Sequence, residues 1–183
     1  VEHNDVGIHE FLRFCELVGT EPYITVNSGQ GNETLAAEEV EYANGAADTP
    51  MGRLRAANGH PAPWKVTFWS IGNEMYGNWQ LGHMPLADYT LKHNRFAAAM
   101  RAKDPKIKLV AVGAVGEWTE GMLKDCARSM DYISEHFYVQ SAPGLLGHVN
   151  LAPREVKRIA EAHRKYRQTI PGVKEANIPI ALD

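Results

Sequence analysis

The chain has 183 residues, of which 44% are hydrophobic and 22% charged, with 16 Gly and 10 Pro. That is ordinary globular composition and excludes disorder, collagen and membrane spans. Its 19 Lys and Arg stand against 22 Asp and Glu for a formal net charge of -3, with no basic stripe to follow a phosphate backbone, so neither nucleic acid nor membrane is an expected partner.

From Asn4 or Asp5, either a good N-cap, the apolar positions Ile8, Leu12, Cys15 and Val18 recur at helical spacing. Gly19 supplies a left-handed stop. Residues 22–27 form a β-branched and aromatic run between turn residues and predict a strand. A second helix fits residues 32–44, with Ala36, Val40 and Ala43 on one stripe and Gly45 closing it. A long polar connection follows, with a short helix around residues 51–57, and leads to a strand over 66–71 that finishes in Gly72-Asn73-Glu74. Pro85 opens a helix carrying Tyr89, Phe96, Ala97 and Met100, and Pro105 ends it. Residues 109–112 are the next strand, 118–127 a short helix, and 132–138 a further strand-like run. Pro153 opens a helix that holds Val156, Ile159, Ala160 and His163, and residues 178–182 form the last strand before Asp183.

Short apolar strands alternating with helices imply an α/β fold with a parallel sheet, since parallel neighbours require a crossover. Neither G-x-G-x-x-G nor a P-loop occurs, which argues against a doubly wound nucleotide fold. A (β/α)8 barrel takes about 250 residues and eight strands. The five units here predict the middle of such a barrel, with an independent smaller α/β domain as the alternative. Cys15 and Cys126 lack metal-ligand spacing and read as buried apolar residues, and the histidines form no H-x-H or H-E-x-x-H pattern. No metal or cofactor is expected.

Barrel enzymes carry their reactive groups at the carboxyl ends of strands. Here those ends present Asn27, Asn73 with Glu74, His136 with Tyr138, and Asp183, a ring suited to a polar, uncharged substrate rich in hydroxyls. Glu74 follows Gly72 and precedes the aromatic loop Met75-Tyr76-Gly77-Asn78-Trp79. A carboxyl against aromatic surface loses hydration, which predicts a pKa raised toward that of a general acid. On the residues alone, a solvated loop carboxylate is the competing reading. Asn27 reads equally as a substrate contact or a turn former, and Tyr76 and Trp79 either line the site or pack the loop. His136 reads as a site residue or as a core histidine bonded to backbone. Glu135 should face away from the side that His136 faces, and reads as structural.

The segment Trp69-Ser70-Ile71-Gly72-Asn73-Glu74-Met75-Tyr76-Gly77-Asn78-Trp79-Gln80-Leu81-Gly82-His83 resembles the acid/base segment of the family 51 glycoside hydrolases, typified by α-L-arabinofuranosidases. Tyr42-Ala43-Asn44-Gly45, Arg53-Leu54-Arg55-Ala56-Ala57-Asn58-Gly59-His60, the Asp131 to Tyr138 block and the closing Ile180-Ala181-Leu182-Asp183 fall in that family's order. The resemblance implies that residues 1–183 are the central part of one (β/α)8 catalytic domain, roughly strands three to seven. The N-terminal strands, the last strand and any C-terminal β-sandwich would then be absent.

It further implies a retaining mechanism that removes terminal α-L-arabinofuranosyl residues from arabinose-containing polysaccharides or oligosaccharides. Glu74 would be the acid/base, Asn73 would bind the hydroxyl beside the anomeric carbon, and His136 and Tyr138 would orient the second carboxylate. Asn27, Tyr76 and Trp79 are candidates for lining the sugar site. The family keeps its nucleophile as a glutamate directly after an aspartate that Asp183 matches, so the chain as given is expected to be inactive alone. A β-glucanase or β-xylosidase of the same clan, or a non-catalytic carbohydrate-binding fragment, is the alternative. The resemblance allows a homo-oligomeric parent. No charged and apolar leader is visible at Val1, and the cytoplasm is favoured over secretion.

Overall fold

Five short strands pair in parallel in the order of the chain: β1 (Tyr23–Val26), β2 (Phe68–Ile71), β3 (Lys108–Ala111), β4 (Tyr132–Glu135) and β5 (Ile180–Leu182). The computed structural model describes residue 3 and residues 5–183. Each parallel pair needs a crossover, and helices supply it. The helix α1 (Ile8–Val18) precedes β1, and α2 (Glu33–Asn44) with α3 (Pro50–Ala57) joins β1 to β2. Next come α4 (Leu86–Lys103) and α5 (Glu117–Cys126), one after each of β2 and β3. Finally α6 (Leu145–Val149), α7 (Leu151–Thr169) and α8 (Val173–Ala176) join β4 to β5. A parallel sheet in which every strand lies beside its successor is an arc of a (β/α)8 barrel, the α/β architecture the alternation of elements implies.

Local chemistry sets the helix ends. The Asn32 side chain accepts from the Leu35 N–H at 3.0 Å and starts α2, and the Thr49 hydroxyl accepts from Gly52 N–H at 3.1 Å with Pro50 in the first turn of α3. Gly19, at φ 69°, closes α1. The start of α1 differs from the sequence expectation: its N-cap is Gly7, whose N–H donates to Glu10 Oε2 at 2.9 Å. Asp5 is therefore not the cap, and Asn4 lies outside the described residues.

Three further boundaries shift for identifiable reasons. Strand β2 begins at Phe68 rather than Val66, because the Asn44 side chain takes both Val66 peptide groups, at 2.7 Å to its N–H and 2.9 Å to its carbonyl. Strand β4 stops at Glu135, so His136, Phe137 and Tyr138 leave the sheet and project from its end. Helix α7 starts two residues before Pro153, which is tolerated there because first-turn N–H groups have no partner within the helix. The single-turn helices α6 and α8 are too short to carry a periodic signal.

The core lies between the sheet and its helices. Val26, Trp69, Ile71 and Leu109 meet Val40, Phe96 and Met100 on one side, and Ala111 and Ile133 meet Met122, Leu123, Tyr166 and Val173 on the other. Burying each large side chain in this layer is worth about 1.5–3 kcal/mol. Cys15 and Cys126 are free thiols within it. On the opposite face, Tyr23, Phe68, Tyr132 and Leu182 border a cavity of about 300 Å³ that also reaches Asp183.

Candidate active site

Strand β2 delivers Glu74 to the mouth of the arc through a sharp turn. Gly72 sits at φ 83°, and a Cβ there would come within 1.9 Å of Ser28 Oγ, so only glycine fits. Glu74 itself adopts φ 48°, the left-handed region that costs a non-glycine residue on the order of 1 kcal/mol. The Gly77 N–H donates to its carbonyl at 2.7 Å and the Tyr89 hydroxyl donates to the carbonyl of Ile71, fixing the turn on both sides. The residue is only 9% exposed.

Both carboxylate oxygens are engaged. Glu74 Oε2 accepts from Trp79 Nε1 at 2.6 Å, and Oε1 lies 3.0 Å from His136 Nδ1. The other ring nitrogen of His136 lies 2.8 Å from Asp183 Oδ1, and Asp183 Oδ2 accepts from the Tyr23 hydroxyl at 2.9 Å. One hydrogen-bonded line therefore runs Trp79, Glu74, His136, Asp183, Tyr23, joining groups carried by β2, β4, β5 and β1.

The electrostatics differ from the sequence expectation. The hydrogen bond from His136 holds Glu74 below its ordinary 4.5; burial pushes the other way, and the Trp79 donor adds to the lowering. Aromatic surroundings were expected to raise it, but the indole meets the carboxylate with its N–H rather than its face, and a donor stabilises the charged form. His136 is raised above 6.5: burial opposes its charging, but the two carboxylates outweigh burial together. The two shifts run in the directions of a carboxylate beside an imidazolium. Burial, followed by the Glu74 charge, pushes the Tyr76 phenol up to about 12.

The loop after Glu74 is braced by aromatic contacts. Tyr76 meets Trp79 edge-on at 6.0 Å and Trp118 at 5.5 Å, while Trp118 stacks on Tyr89 at 5.4 Å and donates its indole N–H to the Val112 carbonyl at 3.0 Å. The Met84 N–H donates to the Met75 carbonyl at 3.0 Å and closes the loop at its base. Its outer turn abuts the loop after β1: Gly82, at φ 82°, approaches Gly29 so closely that a Cβ would sit 2.6 Å from the Gly29 carbonyl carbon. Lys92 Nζ donates to the Gly29 carbonyl at 3.0 Å from below. Trp79 nevertheless leaves 67% of its surface open to solvent.

Of the residues singled out from sequence, the structure brings together Glu74, His136, Asp183, Tyr76 and Trp79. Asn73 is exposed beside Glu74, with no side-chain hydrogen bond among the described residues. Asn27 Oδ1 accepts from the N–H groups of Gln30 at 3.0 Å and Gly31 at 3.3 Å, forming the turn after β1. Tyr138 is 85% exposed and hydrogen-bonds to none of the described residues. Glu135 faces the helices, as strand alternation implies, and binds Thr119 Oγ1 at 2.7 Å, His163 Nε2 at 2.8 Å and the Val115 N–H at 2.9 Å. Tyr23 was missed, although its inward parity in β1 and its hydroxyl are both readable from sequence. Among the described residues no three His, Cys, Asp or Glu side chains converge to hold a metal ion, and no helix is long and apolar enough to cross a membrane.

With that geometry in view, residues 1–167 match the family model described as Alpha-L-arabinofuranosidase 1 domain. The chain is 40% identical over 127 residues to a probable alpha-L-arabinofuranosidase C of Aspergillus fumigatus, covering 68% of this chain and 25% of that protein. It is 36% identical over 144 residues to an intracellular exo-alpha-(1->5)-L-arabinofuranosidase of Bifidobacterium longum, covering 75% of this chain and 25% of the relative. The solved structure of the thermostable GH51 alpha-L-arabinofuranosidase from Thermotoga petrophila RKU-1 superposes with a TM-score of 0.90 at 36% identity, covering 97% of this chain and 37% of that one. The chain thus spans about a quarter of the length of the curated relatives it matches.

Proposed function

The chain belongs to the alpha-L-arabinofuranosidase 1 domain family, and we propose that the protein carrying it is a retaining glycoside hydrolase that removes terminal α-L-arabinofuranosyl residues from arabinose-containing polysaccharides or oligosaccharides. The observation that carries this reading is the nearly buried Glu74 carboxyl, at the carboxyl end of a barrel strand and coupled to His136. It is supported by relatives that bear the name alpha-L-arabinofuranosidase. In the same reading residues 1–183 are the central part of a single barrel domain, and the protein acts inside the cell and assembles as a homo-oligomer. The first location is favoured by the name of the Bifidobacterium longum relative.

Glu74 protonates the glycosidic oxygen as the aglycone departs, then takes a proton from the water that releases the sugar. Asn73, exposed beside it, binds the hydroxyl next to the anomeric carbon, where a hydrogen bond can tighten as oxocarbenium character develops. Trp79 and Tyr76 offer ring surface to the sugar from the rim, and Tyr138 and Asn27 border it. Asp183 has both oxygens committed, to His136 and Tyr23. The resemblance to the family 51 glycoside hydrolases assigns the nucleophile to a glutamate directly after the position of Asp183.

Glu74→Ala in the protein made from its complete coding sequence tests the assignment. Hydrolysis of arabino-oligosaccharides should fall by about 10²–10⁴. Aryl arabinofuranosides with good leaving groups should lose less, and azide should restore part of their turnover. Oligosaccharide hydrolysis that survives the substitution unchanged refutes the role of Glu74.

A further inference from the structure

His136 is held at both ring nitrogens by carboxylates, Glu74 at 3.0 Å from Nδ1 and Asp183 at 2.8 Å from Nε2. A neutral imidazole has one N–H and one lone pair, so it can donate to only one of them. Two arrangements keep every contact with Asp183 ionised. In one the ring is an imidazolium that donates to both carboxylates. In the other Glu74 is a carboxylic acid whose O–H donates to the Nδ1 lone pair. The Nε2–H stays on Asp183 in both, and they differ only in where one proton lies between Nδ1 and Oε1. Asp183 is itself anchored by the Tyr23 hydroxyl at 2.9 Å, which leaves its Oδ1 aimed at the ring.

We propose that Asp183 is a positioning residue that acts on Glu74 through His136: it fixes the Nε2–H tautomer, turns Nδ1 toward Glu74, and retains on the pair the proton that Glu74 uses. The inference rests on the reading of Glu74 as the acid/base. The step balances simply. The proton passes from Nδ1 to the Glu74 carboxylate, leaving a neutral ring and a carboxylic acid, and no electron or other group moves. The groups facing His136 are Glu74 from the end of β2 and Asp183 from the end of β5. The Tyr76 phenol stands near Glu74, with Tyr138 near Tyr76, and Glu135, the last residue of β4, is turned away toward Thr119 and His163. The two carboxylates therefore dominate the field on the ring.

Because Glu74 and His136 titrate as a pair, the basic limb of kcat/KM reports loss of the last proton from both. Removing the Asp183 charge makes that proton easier to lose. The test labels histidine with ¹³C and ¹⁵N in the protein from its complete coding sequence, assigns His136 by its disappearance in His136→Gln, and titrates wild type against Asp183→Asn. The His136 midpoint should fall by about one unit or more, and the basic limb of kcat/KM should move to lower pH with it. Asp183→Glu keeps the carboxylate and should bring both values most of the way back to wild type. If Asp183→Asn fails to fold, Asp183→Ser removes the same charge with a smaller side chain. An unmoved His136 titration overturns the proposal, since a merely structural aspartate would cost stability and rate without moving either value. A wild type that hydrolyses no arabinofuranoside while the His136 titration still moves overturns the reading of Glu74 and leaves the Asp183 coupling standing.

Discussion

Trp79 Nε1 donates to Glu74 Oε2 at 2.6 Å from five residues along the same loop. The bond makes an exposed loop indole part of the carboxyl's protonation chemistry, because a donor on the carboxylate favours its charged form. Trp79→Phe keeps much of the ring surface and removes the donor. The Glu74 pKa should rise, and the basic limb of kcat/KM should move to higher pH by up to about one unit. That is opposite in sign to the shift expected when Asp183 is neutralised. A pH–rate profile of the two variants beside wild type checks both, and a limb that stays in place in Trp79→Phe shows that the indole bond has no hold on the acid.

The Glu74 and His136 pair also gives stability a pH window. Glu74 is lowered from 4.5, so its contribution is present above that value and is lost as pH falls through its folded pKa. His136 is raised from 6.5, so its contribution is complete below that value and is lost as pH rises through its folded pKa. Both are fully present between about pH 4.5 and 6.5. His136→Gln should therefore destabilise the protein most near pH 5.5, by on the order of 1–3 kcal/mol, and much less at pH 9. Urea midpoints at pH 3.5, 5.5 and 9 read the difference, and a penalty that does not vary with pH means the contact carries no charge.

Much of this was legible in the sequence because strand and helix periods are local. The Gly19 stop and the alternation that turns Glu135 away from His136 need only neighbouring residues. What escaped depends on partners far along the chain. Val66 reads as strand until Asn44, 22 residues earlier, is seen to occupy its peptide groups. The sign of the Glu74 shift required knowing that Trp79 presents an N–H edge and that His136, 62 positions away, arrives at its other oxygen. Tyr23 and Asp183 are 160 residues apart, and nothing short of the folded arc brings them together.

Gly82 and Gly59 both lie at positive φ, 82° and 97°, but only Gly82 is crowded. A methyl group on Gly59 would meet nothing within 4 Å, whereas on Gly82 it would meet the Gly29 backbone at 2.6 Å. Gly59→Ala should thus cost only the conformational strain, about 1 kcal/mol. Gly82→Ala should cost more and also displace the outer turn that carries the Trp79 loop, lowering kcat/KM several-fold. Thermal unfolding combined with initial rates separates the two. Equal losses of stability and unaltered kinetics in both variants would mean that the Gly29 contact does not position the loop.

Behind the site, the Glu135 carboxylate is a three-way clasp. Thr119 from α5, His163 from α7 and the Val115 N–H from the loop after β3 all converge on it, and the Thr119 oxygen in turn accepts from the Ala114 N–H at 2.9 Å. Thr119→Val preserves shape but removes a donor from a buried carboxylate and an acceptor from a backbone N–H, and should cost about 2 kcal/mol. Glu135→Ala strands three donors and should cost more, about 3 kcal/mol or above. Because these groups share one partner, the costs should not add: once Glu135 is gone, Thr119→Val loses only its bond to Ala114. A double-mutant cycle from urea midpoints at unchanged m-value measures the coupling. Additive penalties would mean that each element is held by its own packing and that the clasp contributes little to closing the arc behind His136.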